Sequence, residues 1–211
     1  PEQVAFRDDL FLELISLYNL TGKADRALAL LLQRRFHPWE GGEGKVTGQY
    51  LLARTQLAQK ALQQKDYPSA LSHLEACFSY PHNLGEGKLP TALENDTNYW
   101  LGITHQAMGL SAEAISCWEK AAQGNIEASV ALYYNDQQSD QLFYQGLALR
   151  ALGREEEARS RFFKLLKYGE KHLFIPFKMD YFAVSLPDLL IFEEDLQKRQ
   201  LQNCRYLMGL G

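Results

Sequence analysis

The sequence predicts an all-α protein, a right-handed solenoid of stacked helical hairpins joined by extended loops, and two observations carry that expectation. Leu57, Leu101 and Gln145 recur at intervals of 44 residues, and so do Ala70, Ala114 and Ala158. Self-similarity at such a period marks arrays in which each unit buries its apolar face on the next. The second observation is the helical period of the apolar residues, which places helices at about 2–20, 24–36, 45–64, 67–79, 93–108, 111–123, 138–152, 155–168 and 187–210 and leaves no strand to expect.

The elements follow unit by unit. The first unit, about 3–36, carries Leu14-Ile15 in its first helix, Gly22 at the turn, and Ala27 and Leu31 in its second. In the second, about 45–79 and offset by 43, the same places hold Leu57-Ala58, Lys65-Asp66, Ala70, Leu74 and Cys77. Pro68 lies near a helix start, where its missing N–H costs nothing. The third unit, about 93–123, has Leu101-Gly102, Gly109, Ala114, Trp118 and Ala121. The fourth, about 138–168, has Gln145-Gly146, Gly153, Ala158 and Phe162, with Leu165 in place of the last small residue. Small residues let two helix backbones approach and bulky ones fill the remaining space. Asp96 and Asp140 occupy similar places and suit the start of a helix. Between units, a short helix is expected around 130–134 and an irregular aromatic-rich stretch over 169–185. Arg205-Tyr206-Leu207-Met208-Gly209 reads as the first helix of a truncated fifth unit, about 187–211. A helix without a partner leaves an apolar face uncovered, so the expectation is one array that is a piece of a longer protein.

This pattern of a large-small pair, a glycine turn, then Ala, a bulky residue and a second small residue resembles the tetratricopeptide (TPR) repeat family over about 150 residues. The spacing exceeds the family's usual length of about 34, which implies about ten residues inserted between hairpins. The segments Phe36-His37-Pro38-Trp39-Glu40-Gly41-Gly42-Glu43-Gly44-Lys45 and Asn83-Leu84-Gly85-Glu86-Gly87-Lys88 also look like the C-terminal TPR region of large bacterial proteins with a β-rich N-terminal region of uncharacterised function. The resemblance implies an interaction or intramolecular scaffold and brings no catalytic residue with it.

Composition narrows the function classes. The 211 residues are 46% hydrophobic and 23% charged, an ordinary globular balance with a net charge of -4. No basic field exists to attract nucleic acid or an anionic membrane. No apolar run approaches the roughly 20 residues of a membrane span. Cys77, Cys117 and Cys204 are odd in number and lack C-x-x-C spacing, which reads as reduced thiols and a cytoplasmic location. Asn19-Leu20-Thr21 and Asn95-Asp96-Thr97 match the glycosylation pattern, yet each asparagine also has a place in a helix or cap.

Two candidate sites stand out. The loops Pro38-x-x-x-Gly42-Glu43-Gly44-Lys45 and Pro81-x-x-x-Gly85-Glu86-Gly87-Lys88 repeat at a spacing of 43. Trp39, Glu43, Lys45, Glu86 and Lys88 either brace one hairpin on the next or contact a ligand. A phosphate loop is excluded, because a P-loop needs G-x-x-x-x-G-K-[ST] and here Trp39, His82, Val46 and Leu89 break the pattern. The second candidate is the face of each first helix. Aligning the copies brings Thr55, Tyr99, Phe143 and Tyr206 into register, with Gln59, Asp96, Gln106, Asp140 and Arg150 around them. Aromatic faces ringed by amides and acids suit an extended peptide or a sugar better than a phosphate-rich ligand; alternatively the rings pack on the chain's own inserts.

The remaining chemistry is thin. The histidines show no ligand spacing, so no metal or cofactor is expected, and no Ser or Cys has a nucleophile's surroundings. Glu40, Glu43, Glu86 and Glu94 have no fixed separation that would mark a hydrolytic pair. The expected function is a protein-interaction or intramolecular scaffold that is not an enzyme, with protein, peptide or another part of the same chain as partner. A carbohydrate-binding accessory module is the alternative.

Overall fold

The computed structural model describes residues 6–39, 41–129, 137–176 and 195–211. Among them are nine α-helices and no strand: α1 (Asp8–Leu20), α2 (Ala24–Gln33), α3 (Lys45–Gln63), α4 (Tyr67–Glu75), α5 (Asn95–Ala107), α6 (Ser111–Ala121), α7 (Gln141–Ala151), α8 (Glu155–His172) and α9 (Leu196–Leu210). Short 3-10 turns follow α4 at Ala76–Phe78 and His82–Leu84. The short helix expected near 130–134 lies outside the described residues. So do most of 169–185 and the expected start of the last helix.

Local chemistry explains the helix ends. Asp66 accepts from the Ser69 N–H at 3.2 Å and Pro68 sits in the first turn of α4; Asp195 accepts from the Lys198 N–H at 3.0 Å at the start of α9. Glu155, Glu156 and Glu157 open α8, and Lys171 and His172 close it, the arrangement that complements the helix dipole. That ending lies beyond the expected boundary at 168, and the buried Gly169 within the added turn lets α9 come close. A Cβ on it would meet the Cys204 carbonyl at 2.7 Å.

The turns inside the four helix pairs share one backbone solution. Gly22, Gly109 and Gly153 adopt φ of +71°, +78° and +75°, and Lys65 takes the same left-handed conformation at φ 61°. Glycine does this without steric penalty, whereas a lysine there is strained.

The chain falls into two compact units, Pro1–Ala92 with Ile103–Leu110, and Leu93–Gly102 with Ser111–Gly211. The core of the first joins Leu12 and Ile15 of α1 to Ala24, Ala27, Leu28 and Leu31 of α2 and to Val46, Tyr50 and Ala53 of α3. Phe36 and Leu84, from the two loops, complete it. Polar donors inside find acceptors: Asn19, 1% exposed, donates to the Gln49 carbonyl (3.1 Å) and Oε1 (2.8 Å), and the Tyr50 hydroxyl donates to the Ala76 carbonyl at 3.1 Å. In the second unit α7 packs on α6 and α8, and α8 on α9. Glycines set two of the close approaches. A Cβ at Gly102 would lie 2.2 Å from the Trp118 indole, and one at Gly146 would lie 2.5 Å from the Phe162 ring. The small residue of the sequence pattern thus faces the bulky one of the following helix in both copies.

Candidate functional site

The duplicated loops are built into the first unit as structure. Glu86 reaches back 42 residues: its carboxylate accepts from the Gly44 N–H at 2.9 Å and from the Thr47 hydroxyl at 3.0 Å. It therefore closes the N-terminus of α3, which lacks a capping side chain of its own. Lys88 donates to the Phe78 carbonyl at 3.2 Å and lies 5.4 Å from the Phe78 ring. Asn83 donates to the carbonyls of Leu31 (2.8 Å) and Arg34 (2.7 Å) and so closes the C-terminus of α2. Gly85, at φ +80°, lies where a Cβ would strike the Phe36 carbonyl at 2.7 Å. Trp39 packs on the core over Gly42, and Glu43 and Lys45 are half-buried beside it.

The residues expected on the first-helix face divide between the units. Thr55 and Gln59 are half-buried on α3, and Gln106 is exposed on α5; these belong to the first unit. Asp96, Tyr99, Asp140, Phe143, Arg150 and Tyr206 all lie in the second. There the structure gathers Asp96 and Tyr99 of α5, Asp140 at the start of α7, and Tyr206 of α9. It adds two residues that the alignment of copies passed over, Trp100 and Tyr144. The Tyr99 ring lies 5.4 Å from Trp100 at 68° and 6.0 Å from Tyr144 at 52°. Phe143 turns instead towards the helix interior, 6.0 Å from the Phe162 ring and against Leu142, Leu165 and Leu207. Arg150 is exposed, with its guanidinium 4.8 Å from the Phe162 ring. It also lines an open depression of about 650 Å³ with Arg159, Phe163 and Leu166.

Electrostatics set this cluster apart. Burial raises the Asp96 carboxyl above its ordinary range, and the charge of Asp140 raises it further. Burial likewise raises Asp140. The Tyr144 phenol is pushed up to about 12 by burial first, then by the negative charges of Asp96 and Asp140. Tyr206 is raised by burial and by Asp140. Among the described residues neither aspartate forms an ion pair, and Asp140 Oδ1, although shielded from solvent, accepts no hydrogen bond. Arg150 is felt at Tyr99, where it opposes the upward effect of burial. Two same-sign carboxylates sharing an aromatic wall destabilise each other when both are ionised, and an incoming cation relieves that cost.

One signal for the missed residues was present in the chain. Trp100 and Tyr144 each follow an aspartate by four positions, in copies 44 residues apart. Residues at i and i+4 share a helix face, so each aspartate brings an aromatic with it.

No group of three or more His, Cys, Asp or Glu that would hold a metal occurs among the described residues, and no helix among them is long and apolar enough to cross a membrane. Cys77, Cys117 and Cys204 form no disulfide, and the first and last are buried. In comparison with known proteins, the chain matches no family model and no solved structure at a significant level.

Proposed function

We propose that the four helix pairs are TPR-like units of a right-handed solenoid, and that the chain is a protein-interaction scaffold without catalysis of its own. The observation that carries the reading is the recurrence of one packing solution. A left-handed residue at Gly22, Lys65, Gly109 and Gly153 recurs at intervals of 43, 44 and 44, and a small residue meets a bulky one at Gly102–Trp118 and Gly146–Phe162. Arrays built this way present the outward face of their first helices to extended partners. In this chain the first helices carry Tyr99, Trp100, Tyr144 and Tyr206, residue types that supply contact area at little conformational cost.

Peptides recovered by panning a random-sequence display library on the chain test this. Their affinity is expected to fall on Tyr206→Ala, a residue 53% exposed whose removal should leave the fold intact, as an unchanged urea midpoint would show. Recovery of no peptide overturns the scaffold reading. An oligosaccharide bound with the same dependence on Tyr206 would replace it with a glycan-binding one.

A further inference from the structure

We propose that the depression beside α8 docks an acidic peptide segment of a partner protein, with carboxylates on Arg150 and Arg159 and an apolar side chain on Phe163 and Leu166. The surface is formed mainly by α8, the second helix of its pair, and lies wholly within the second compact unit. It therefore goes beyond the first-helix face of the scaffold reading. The depression measures about 650 Å³ and is open to solvent, a form that suits a chain segment better than an enclosed small molecule. On its floor Phe163 is 56% exposed and Leu166 half-buried. The repeat shows what kind of body fits such a place. One copy earlier, Glu119 and Ala122 hold the positions of Phe163 and Leu166. There Ala122 packs on Leu149, Ala158 and Phe162 of the following pair, and Glu119 lies 4.0 Å from Arg154 of that same pair. This part of a second helix is thus a place where polypeptide docks, through an apolar contact and an ion pair.

At α8 the sign of the charge is reversed, and charge complementarity then names the occupant. Arg150 and Arg159 line the depression. The Arg150 guanidinium lies 4.8 Å from the Phe162 ring and forms no ion pair among the described residues. Arg159 has Glu156 at 3.7 Å, but those side chains are 73% and 90% exposed, so the pair is worth little and yields to an incoming carboxylate. Each guanidinium offers a planar fork of donors that matches a carboxylate. An apolar residue between two acidic ones would pack on Phe163 and Leu166 while its neighbours reach the arginines. The chain as a whole has a net charge of -4, so long-range attraction favours a basic peptide. Capture of an acidic one has to come from these local groups.

Fluorescence anisotropy with the whole 211-residue chain tests the proposal, using a dye-labelled Glu-Glu-Leu-Phe-Glu-Glu peptide beside versions with Lys or Gln in place of Glu. The expected result is binding of the acidic peptide alone, weakened about fivefold by each of Arg150→Gln, Arg159→Gln and Phe163→Ala. Arg159 and Phe163 are exposed, so their variants keep the test readable should Arg150→Gln, which loses its stacking on Phe162, destabilise the fold. Equal weakening by Arg26→Gln, an exposed residue on α2, would mean diffuse attraction and would overturn the site. Loss of acidic-peptide affinity on Tyr206→Ala would overturn it too, by moving the peptide to the first-helix face. Self-association in sedimentation that is abolished by Phe163→Ala would put a second copy of the chain in the depression instead of a partner. Absence of acidic-peptide binding by a chain that still holds library-selected peptides through Tyr206 would sink the docking site and leave the scaffold standing.

Discussion

Lys65 shows how a single residue reports the rule that its neighbours obey. Three of the four intra-pair turns use glycine for the left-handed position, and the fourth holds a lysine at φ 61°. A non-glycine residue there costs about 1–2 kcal/mol, while glycine gives back part of that through its larger unfolded-state entropy. Lys65→Gly should therefore stabilise the chain by about 0.5 kcal/mol, whereas Gly153→Ala, at φ +75°, should destabilise it by about 1 kcal/mol. Urea titrations followed by circular dichroism measure both, and a stabilised Gly153→Ala would contradict the turn assignment. Glu86 makes the complementary point about side chains. It caps a helix that starts 41 residues earlier in the chain, so Glu86→Ala should cost about 1 kcal/mol through loss of its bonds to Gly44 and Thr47. The loop motif was visible in the sequence, but its target was not. Nothing in Gly-Glu-Gly-Lys names the helix end that the carboxylate will meet.

Two of the helix pairs meet through a glycine on one side and an aromatic on the other, and three helix C-termini are closed by amides from distant segments. Gly146→Ala would drive a methyl group into the Phe162 ring, which a Cβ would approach to 2.5 Å. The expected loss is about 1–3 kcal/mol. Phe162→Leu should recover part of it in the double variant, and strict additivity by chemical denaturation would show that the two residues do not share that contact. Three carboxamides act on helix C-termini. Asn83 bridges the carbonyls of Leu31 and Arg34, Asn95 those of Ala121 and Gln123, and Gln200 those of His172 and Ile175. Asn95 is 4% exposed, so this second glycosylation match is occupied by structure, as is Asn19. Asn95→Ala would leave two carbonyls short of a donor and should destabilise by about 1–3 kcal/mol, read as a lower urea midpoint. Helix positions were legible because the apolar period and the turn glycines are local signals. These caps were not, because the donor and its carbonyls lie 25 or more residues apart.

The molecule as a whole carries carboxylates that pull its stability in opposite directions with pH. Burial alone would raise Asp8, but hydrogen bonds from the His37 N–H and the Arg34 guanidinium outweigh it and hold the carboxyl below its ordinary range. A depressed folded value contributes stability that is present above the unfolded value and lost as pH falls through the folded one. Asp96 and Asp140 are raised, chiefly by burial, so the sign reverses. Their cost is absent below the unfolded value of about 3.9 and grows as pH rises to the folded one. Asp8→Asn should thus lower the unfolding free energy at neutral pH and converge on the parent in acid. Asp96→Asn should raise it at neutral pH and flatten the decline that begins above about pH 4. Denaturation curves collected at intervals across that range decide the matter, and the opposite ranking at neutral pH would refute the burial assignments.

What the sequence determined by itself is the all-helical architecture, the helix positions to within about four residues at most ends, and the turn positions, since the repeat of 44 and the helical apolar period are written in neighbouring residues. It also pointed to Asp96, Tyr99, Asp140 and Tyr206 through their equal places in the copies. Only the tertiary structure decided that Phe143 faces Phe162 while Tyr144 faces the aspartates. One residue along a helix is a rotation of about 100°, and an alignment of copies does not set the angle at which a helix lies on its neighbours. The same holds for Glu86 and for the three amide caps. Their partners were chosen by folding, which brings together groups that the chain keeps far apart.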